Sequence, residues 1–136
     1  MNLELFGIGN SKKKVAKDSN WRKLESEAER LRELERYKIK TQKTSKRTRE
    51  RPDVFAINPK NNRDRVIVDA KCTQEVTTAN INQVKSYKKT FFAKKAIILT
   101  AKDTHVSHEK RKEARDAGIK IKRGKTKRKK GFLDYL

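Results

Sequence analysis

Apolar residues recur along this chain in two rhythms. Over residues 20–40, Trp21, Leu24, Ala28, Leu31 and Leu34 fall at three- and four-residue steps among Glu, Arg and Lys. No Gly or Pro interrupts them, so the spacing predicts one long helix with Asn20 as its N-cap. Pairs such as Glu29 with Arg32 and Glu33 with Arg36 reinforce it along the exposed side. Further on, Asp53 to Ile57 and Arg65 to Cys72 predict two strands. The segment between them, Asn58 to Asp64, has the Asn, Pro and Asp chemistry of a turn, which makes the pair an antiparallel hairpin. Ile81, Val84, Tyr87, Lys88 and Phe91 place a helix over residues 79–92, and Lys95 to Thr100 is a short apolar run suited to a buried strand. Ser107 caps a further helix that stops at Gly118, and Ile119 and Ile121 then alternate with Lys120 and Lys122 in a last strand. Helix, strand, strand, helix, strand, helix, strand predicts an α/β fold. Its sheet is mixed and central, flanked by helices on both faces, with parallel right-handed crossovers near the end.

The flanks break this pattern. Residues 1–136 read as a single domain with a core over 20–122, an N-terminal arm over 1–19 and a C-terminal tail over 123–136. The arm holds Leu3, Leu5, Phe6 and Ile8, and the tail ends in Phe132, Leu133, Tyr135 and Leu136, so both carry apolar residues that need a surface to cover. Residues 41–51 form a polar, basic connection.

Charge changes the picture most. Lys and Arg number 38 against 17 Asp and Glu, a net charge of +21. A chain of that charge repels itself unless an anion is near, and the footprint predicts a nucleic-acid partner bound through its phosphates. The apolar fraction, 33%, still suffices for a core because it is concentrated in runs such as Val66 to Val68 and Ala96 to Leu99. A lone cysteine, Cys72, excludes an internal disulfide and suits a reducing setting. No apolar run has the ~20 residues of a membrane span, and the N-terminus lacks the order of a secretory signal. The expected location is the cytoplasm.

Candidate chemistry lies at one end of the second strand. Side chains two apart on a strand share a face, so Asp69 and Lys71 lie with Ile67. The strand starts apolar on both faces, which marks it as central. An acid and a lysine at its end are costly there unless they are paired or bound to an ion. In a hairpin, Asp53 at the start of the first strand comes near Asp69. Two carboxylates and an ammonium together suit phosphodiester hydrolysis. The acids hold Mg²⁺, a hard ion, and the lysine orients or deprotonates the attacking water or stabilises the developing charge.

Pro52-Asp53, followed sixteen residues on by Asp69-Ala70-Lys71, resembles the PD-(D/E)xK nuclease superfamily, whose members have the restriction-endonuclease-like fold. Gln83 to Tyr87 is similar to the Gln-x-x-x-Tyr helix that follows the catalytic lysine in several branches, and Arg51 to Tyr87 is similar to type IIS cleavage domains. Ala96 to Ile121 is similar to the Mrr-type and Holliday-junction resolvase pattern. The resemblance implies a DNA endonuclease that uses Mg²⁺, with Mn²⁺ able to substitute. It implies catalytic roles for Asp53, Asp69, Lys71 and Gln83, and an acid from the first helix. Glu25 is closest to the family's spacing, with Glu27 and Glu35 as alternatives; Asp53, Asp69 and Glu25 are the expected metal ligands.

Blander readings compete for other residues. His105 and His108 lack further ligands and suit a loop and a helix start, and Cys72 suits packing on the sheet. The basic runs Lys12–Lys14, Lys43–Arg51 and Lys120–Lys130 flank the site and suit phosphate contacts. The leading expectation is a four-way-junction resolvase acting as a homodimer on DNA, with no membrane partner. A stand-alone restriction or virus-encoded nuclease of the same fold is the nearest alternative, and a non-catalytic nucleic-acid-binding protein is the rival from another class.

Overall fold

The computed structural model describes residues 20–41 and 51–128. Helix α1 covers residues 20–29, and a 3₁₀ turn follows at Arg32–Leu34. The other elements are strands β1 (Lys38–Thr41), β2 (Val54–Asn58) and β3 (Asn61–Lys71), helix α2 (Thr78–Thr90), strand β4 (Lys95–Thr100), helix α3 (His108–Asp116) and strand β5 (Ile119–Arg123). The strands form one sheet in the order β1-β2-β3-β4-β5, so β3 lies at its centre. β1, β2 and β3 pair antiparallel, and β4 and β5 add in parallel, which makes the sheet mixed.

Alternation along the strands sorts the core into two faces. Leu24, Ala28, Leu31 and Leu34 pack on Val54, Ala56, Val66, Val68, Ala70, Ile97 and Leu99. On the other face Ile81 and Val84 of α2 and Ala114 of α3 pack on Ala96, Ile98 and Ile119, while Tyr87 and Phe91 pack on Phe55 and Ile67. Helices therefore cover both faces, as the element order predicts. Among the described residues no helix is long and apolar enough to cross a membrane.

The predicted helix over residues 20–40 is instead three pieces. Leu31 adopts an extended conformation (φ −62°, ψ 140°), which ends α1, and a 3₁₀ turn carries the chain on to β1. The apolar stripe survives because a 3₁₀ turn also steps by three residues, so Leu31 and Leu34 are buried as the periodicity requires. β1 is an added strand that covers the edge of β2. The connection predicted over 41–51 therefore starts one residue later, and residues 42–50 lie outside the described residues, as do Leu3–Ile8 and Phe132–Leu136.

The hairpin turn is also tighter than its composition suggests. Only Pro59 and Lys60 separate β2 from β3. The polar residues around them satisfy the strand ends instead of forming a long loop. Lys60 N donates to Asn58 Oδ1 at 2.9 Å, and Asp64 accepts from Asn58 Nδ2 and from the Tyr37 hydroxyl, the latter at 2.7 Å to Oδ1.

Caps set the helices of the second half. Thr77 and Asn80 form a reciprocal capping box at the start of α2, and Ser107 accepts from Lys110 N at the start of α3. Each helix is followed by a residue in the left-handed region: Gly118 (φ 73°) after α3 and Phe92 (φ 53°) after α2. Glycine takes that conformation freely, whereas a side chain pays about 1–2 kcal/mol for it. Phe92 is 77% exposed, so its ring returns little of that cost. Phe92→Gly is expected to stabilise the fold by about 1 kcal/mol, read as a raised urea midpoint with an unchanged slope. An unchanged or lowered midpoint would mean that the Phe92 ring contributes more than its exposure indicates.

Candidate active site

The hairpin brings the acids together. Val54 of β2 pairs with Val68, so Asp53, one residue before it, reaches the end of β3 where Asp69 lies. Asp53 Oδ2 accepts the Ala70 backbone N–H at 2.7 Å, which fixes that carboxylate and leaves its other oxygen for a neighbour. Asp69 and Lys71 alternate with Ala70 and share the α2/α3 face of the sheet with Ile67. Both are buried, Asp69 at 4% and Lys71 at 9% exposure.

Lys71 Nζ lies 2.8 Å from Asp69 Oδ2 and donates to Gln83 Oε1 at 2.6 Å. Asp69 Oδ2 is buried, and this ammonium is its close contact. Gln83 comes from α2, one turn before Tyr87. Tyr87 itself is buried with Phe55, Ile67 and Phe91.

Of the three candidate acids before β1, the structure brings one to this cluster. Glu25 acts on Asp53 through both its charge and a side-chain hydrogen bond. Glu27 is engaged elsewhere, accepting the backbone N–H of Lys125 and of Thr126. Glu35 lies exposed beyond the 3₁₀ turn. His105 sits in an exposed loop and His108 opens α3, while Cys72 packs partly buried on the α1 face.

Electrostatics make the cluster unusual. Burial is the main force raising the Asp53 carboxyl, to about 6, with Glu25 adding to it against the Asp69 and Ala70 hydrogen bonds. Burial likewise raises Asp69, to about 7, with the Asp53 charge adding to it and the Lys71 ammonium opposing. One ammonium does not compensate these crowded carboxylates, so the site favours an additional positive charge.

Its donors fit a hard divalent cation. Two carboxylates supply oxygen ligands, and the one ammonium beside them, Lys71, leaves both carboxyls raised. Among the described residues no group of three His, Cys, Asp or Glu side chains forms a ready metal cage.

A family model described as restriction endonuclease, the Mrr catalytic domain, matches residues 16–126. The chain belongs to this family and, through it, to the PD-(D/E)xK superfamily. It is thus a restriction-endonuclease-like nuclease domain, a class that acts on DNA. No curated protein and no solved structure matches it.

The raised carboxyls also set a pH dependence. Asp69 holds its proton more tightly folded than unfolded, so without metal its contribution favours folding at low pH and is lost as pH rises from about 4 through about 7. Asp69→Asn removes that cost. In EDTA at pH 8 the variant is expected to be more stable than the wild type by on the order of 2 kcal/mol, with the gain vanishing near pH 4. Thermal melts across that range check it, and a variant less stable at pH 8 would contradict it.

Proposed function

We propose that the chain is a divalent-metal-dependent DNA endonuclease in which Asp53 and Asp69 hold Mg²⁺, with Mn²⁺ as a substitute, and Glu25 is the third acid. The observation that carries this reading is the Asp53–Asp69 pair, half-buried and buried in turn, with the buried Lys71 ammonium 2.8 Å from Asp69 Oδ2. When bound, the metal would neutralise charge on the phosphate and acidify a water.

The remaining work falls to the chain's own groups. The Ala70 N–H orients Asp53 through one oxygen. Glu25 adds negative charge beside Asp53 and strengthens the site's demand for a cation. Lys71 is held in a fixed position by Asp69 and Gln83. From there its ammonium meets the negative charge that develops on the phosphate and helps to orient the attacking water. Gln83 acts through Lys71, as a positioning residue.

The substrate we favour is branched DNA, a four-way junction above all, cut by a homodimer whose two-fold symmetry matches paired cuts. Support comes from charge and from the use of the elements. The net charge of +21 supplies backbone affinity without base reading. Among the described residues every element is part of the sheet or packs against it, which leaves none projecting as a reader of a DNA groove. The single-domain reading of residues 1–136 belongs to the same proposal.

Purified protein incubated with labelled linear duplex, single strand, flap and four-way junction is expected to cut with Mg²⁺, favour the junction and stop in EDTA. Asp69→Ala should lower the rate at least about 10³-fold. Tight binding without cutting by the wild type would support a non-catalytic binding protein instead. Gln83→Ala is expected to slow cutting by about 10–100-fold while leaving DNA affinity intact. A normal rate in that variant would remove Gln83 from the site.

Metal ligation requires both acids ionised, and protons compete with the ion. With Asp53 near 6 and Asp69 near 7, the rate at low Mg²⁺ should fall as pH drops from 8 to 6 and recover when Mg²⁺ is raised. A loss that added Mg²⁺ does not reverse would place the titrating group outside the metal ligands.

A further inference from the structure

The basic run that ends the described chain splits into two kinds of residue. Lys120 and Lys122 pair with Glu33 at 2.9 and 2.8 Å and tie the 3₁₀ turn to β5. Burial alone would raise Glu33, but hydrogen bonds from Lys122 and Lys120 outweigh it and hold this carboxyl at about 2. Arg123 donates to the carbonyls of Lys102 and Thr104, and Arg128 pairs with Asp103. Lys125 and Lys127 remain. Both are exposed, and neither pairs with an acid among the described residues.

The backbone carrying these two lysines is held at many points. Gly124 N donates to Thr100 O at 2.7 Å, and Lys102 N donates to Thr126 O at 2.7 Å. Arg128 N donates to Asp103 Oδ1 at 2.8 Å. Glu27 of α1 accepts from Lys125 N at 2.8 Å, Thr126 N at 3.1 Å and Thr126 Oγ1 at 3.0 Å. A Cβ at residue 124 would lie 2.8 Å from Glu27 Oε2 and 2.9 Å from Thr100 O, so only glycine lets the segment close on α1. Glu27 thus bonds to amides and a hydroxyl, ordering the segment while leaving its ammonium groups to solvent.

The segment also lies beside the candidate active site. Thr100 stands opposite Lys71 in the parallel β3–β4 pair, and Ala101 N donates to Lys71 O. Gly124 follows β5, one strand further, so it lies about two strand spacings, ~10 Å, from Lys71. Two exposed lysines carried on a held backbone at that range suit the phosphates next to the one being cut.

We propose that Gly124–Arg128 is a strap that grips the substrate's sugar–phosphate backbone through Lys125 and Lys127, with Glu27 as its positioning residue. This rests on the DNA nuclease reading and identifies where that site holds its substrate. It divides the basic run by role, since Lys120, Lys122, Arg123 and Arg128 hold the protein together.

The test compares Lys125→Ala/Lys127→Ala, Glu27→Ala and the triple variant, with Lys60→Ala as a control in the distant hairpin turn. Binding of a fluorescent duplex is measured in EDTA over a salt series, and kcat and KM are measured with Mg²⁺ on the preferred substrate. The lysine pair is expected to lower the salt slope of log K by about 2 and raise KM about tenfold with little change in kcat. Glu27→Ala should reproduce both effects, and the triple variant should be no worse than the lysine pair. An unchanged slope and KM in the lysine pair, with the wild type still cutting, would overturn the strap and leave the nuclease reading intact. A Glu27→Ala variant that melts earlier but keeps the wild-type slope would make Glu27 merely structural and overturn its positioning role. A wild type that binds but cuts nothing would sink the nuclease reading, and the slope would still decide the grip.

Discussion

Two carboxylates forced together at the buried end of the central strand govern this structure. Asp69 is placed there by the register of β3, and Asp53 is drawn to it by the hairpin and the Ala70 N–H. Water would have separated these charges. The fold instead holds them beside the single Lys71 ammonium. Such an arrangement destabilises the metal-free protein, and a fold that keeps it stores an affinity for positive charge. The α2/α3 layer that buries it also supplies Gln83, so packing and chemistry use the same helix.

The few acids of this basic chain explain much of its architecture. Glu33 holds β5 to the 3₁₀ turn through two lysines, and Asp64 ties Tyr37 to the hairpin turn. Asp103 and Glu27 hold the segment after β5. Glu25, Asp53 and Asp69 converge at the proposed active site. With 38 cationic side chains against 17 acids, one-to-one pairing leaves more than half of the cations without an acid. That balance suits a protein whose counter-ion is its substrate's backbone.

Much of this was legible in the residues because the signals are local. The hairpin, α2, β4, α3 and β5 follow from alternation, helical spacing and caps such as Ser107, and Gly118 marks its helix end. Asp53, Asp69 and Lys71 were legible because hairpin geometry and side-chain alternation bring them together. β1 was not, since Leu31 and Leu34 keep the same spacing across a broken helix as along an intact one. Ile39 between Lys38 and Lys40 was the available sign of a strand. Glu25 was favoured over Glu27 and Glu35 by the resemblance's spacing alone, and the residues themselves could not separate the three. That choice depends on where Lys125 returns, 98 residues after Glu27, and no helical periodicity carries that information.

If the Asp53–Asp69 pair is built for a divalent cation, Mn²⁺ should bind there. Free Mn²⁺ can be followed by electron paramagnetic resonance while metal is added to the wild type and to Asp69→Asn at pH 8, without DNA. The wild type is expected to bind at a site that is lost or greatly weakened in the variant. Equal binding by the two proteins would contradict it and place the metal, and with it the chemistry, somewhere else on the chain.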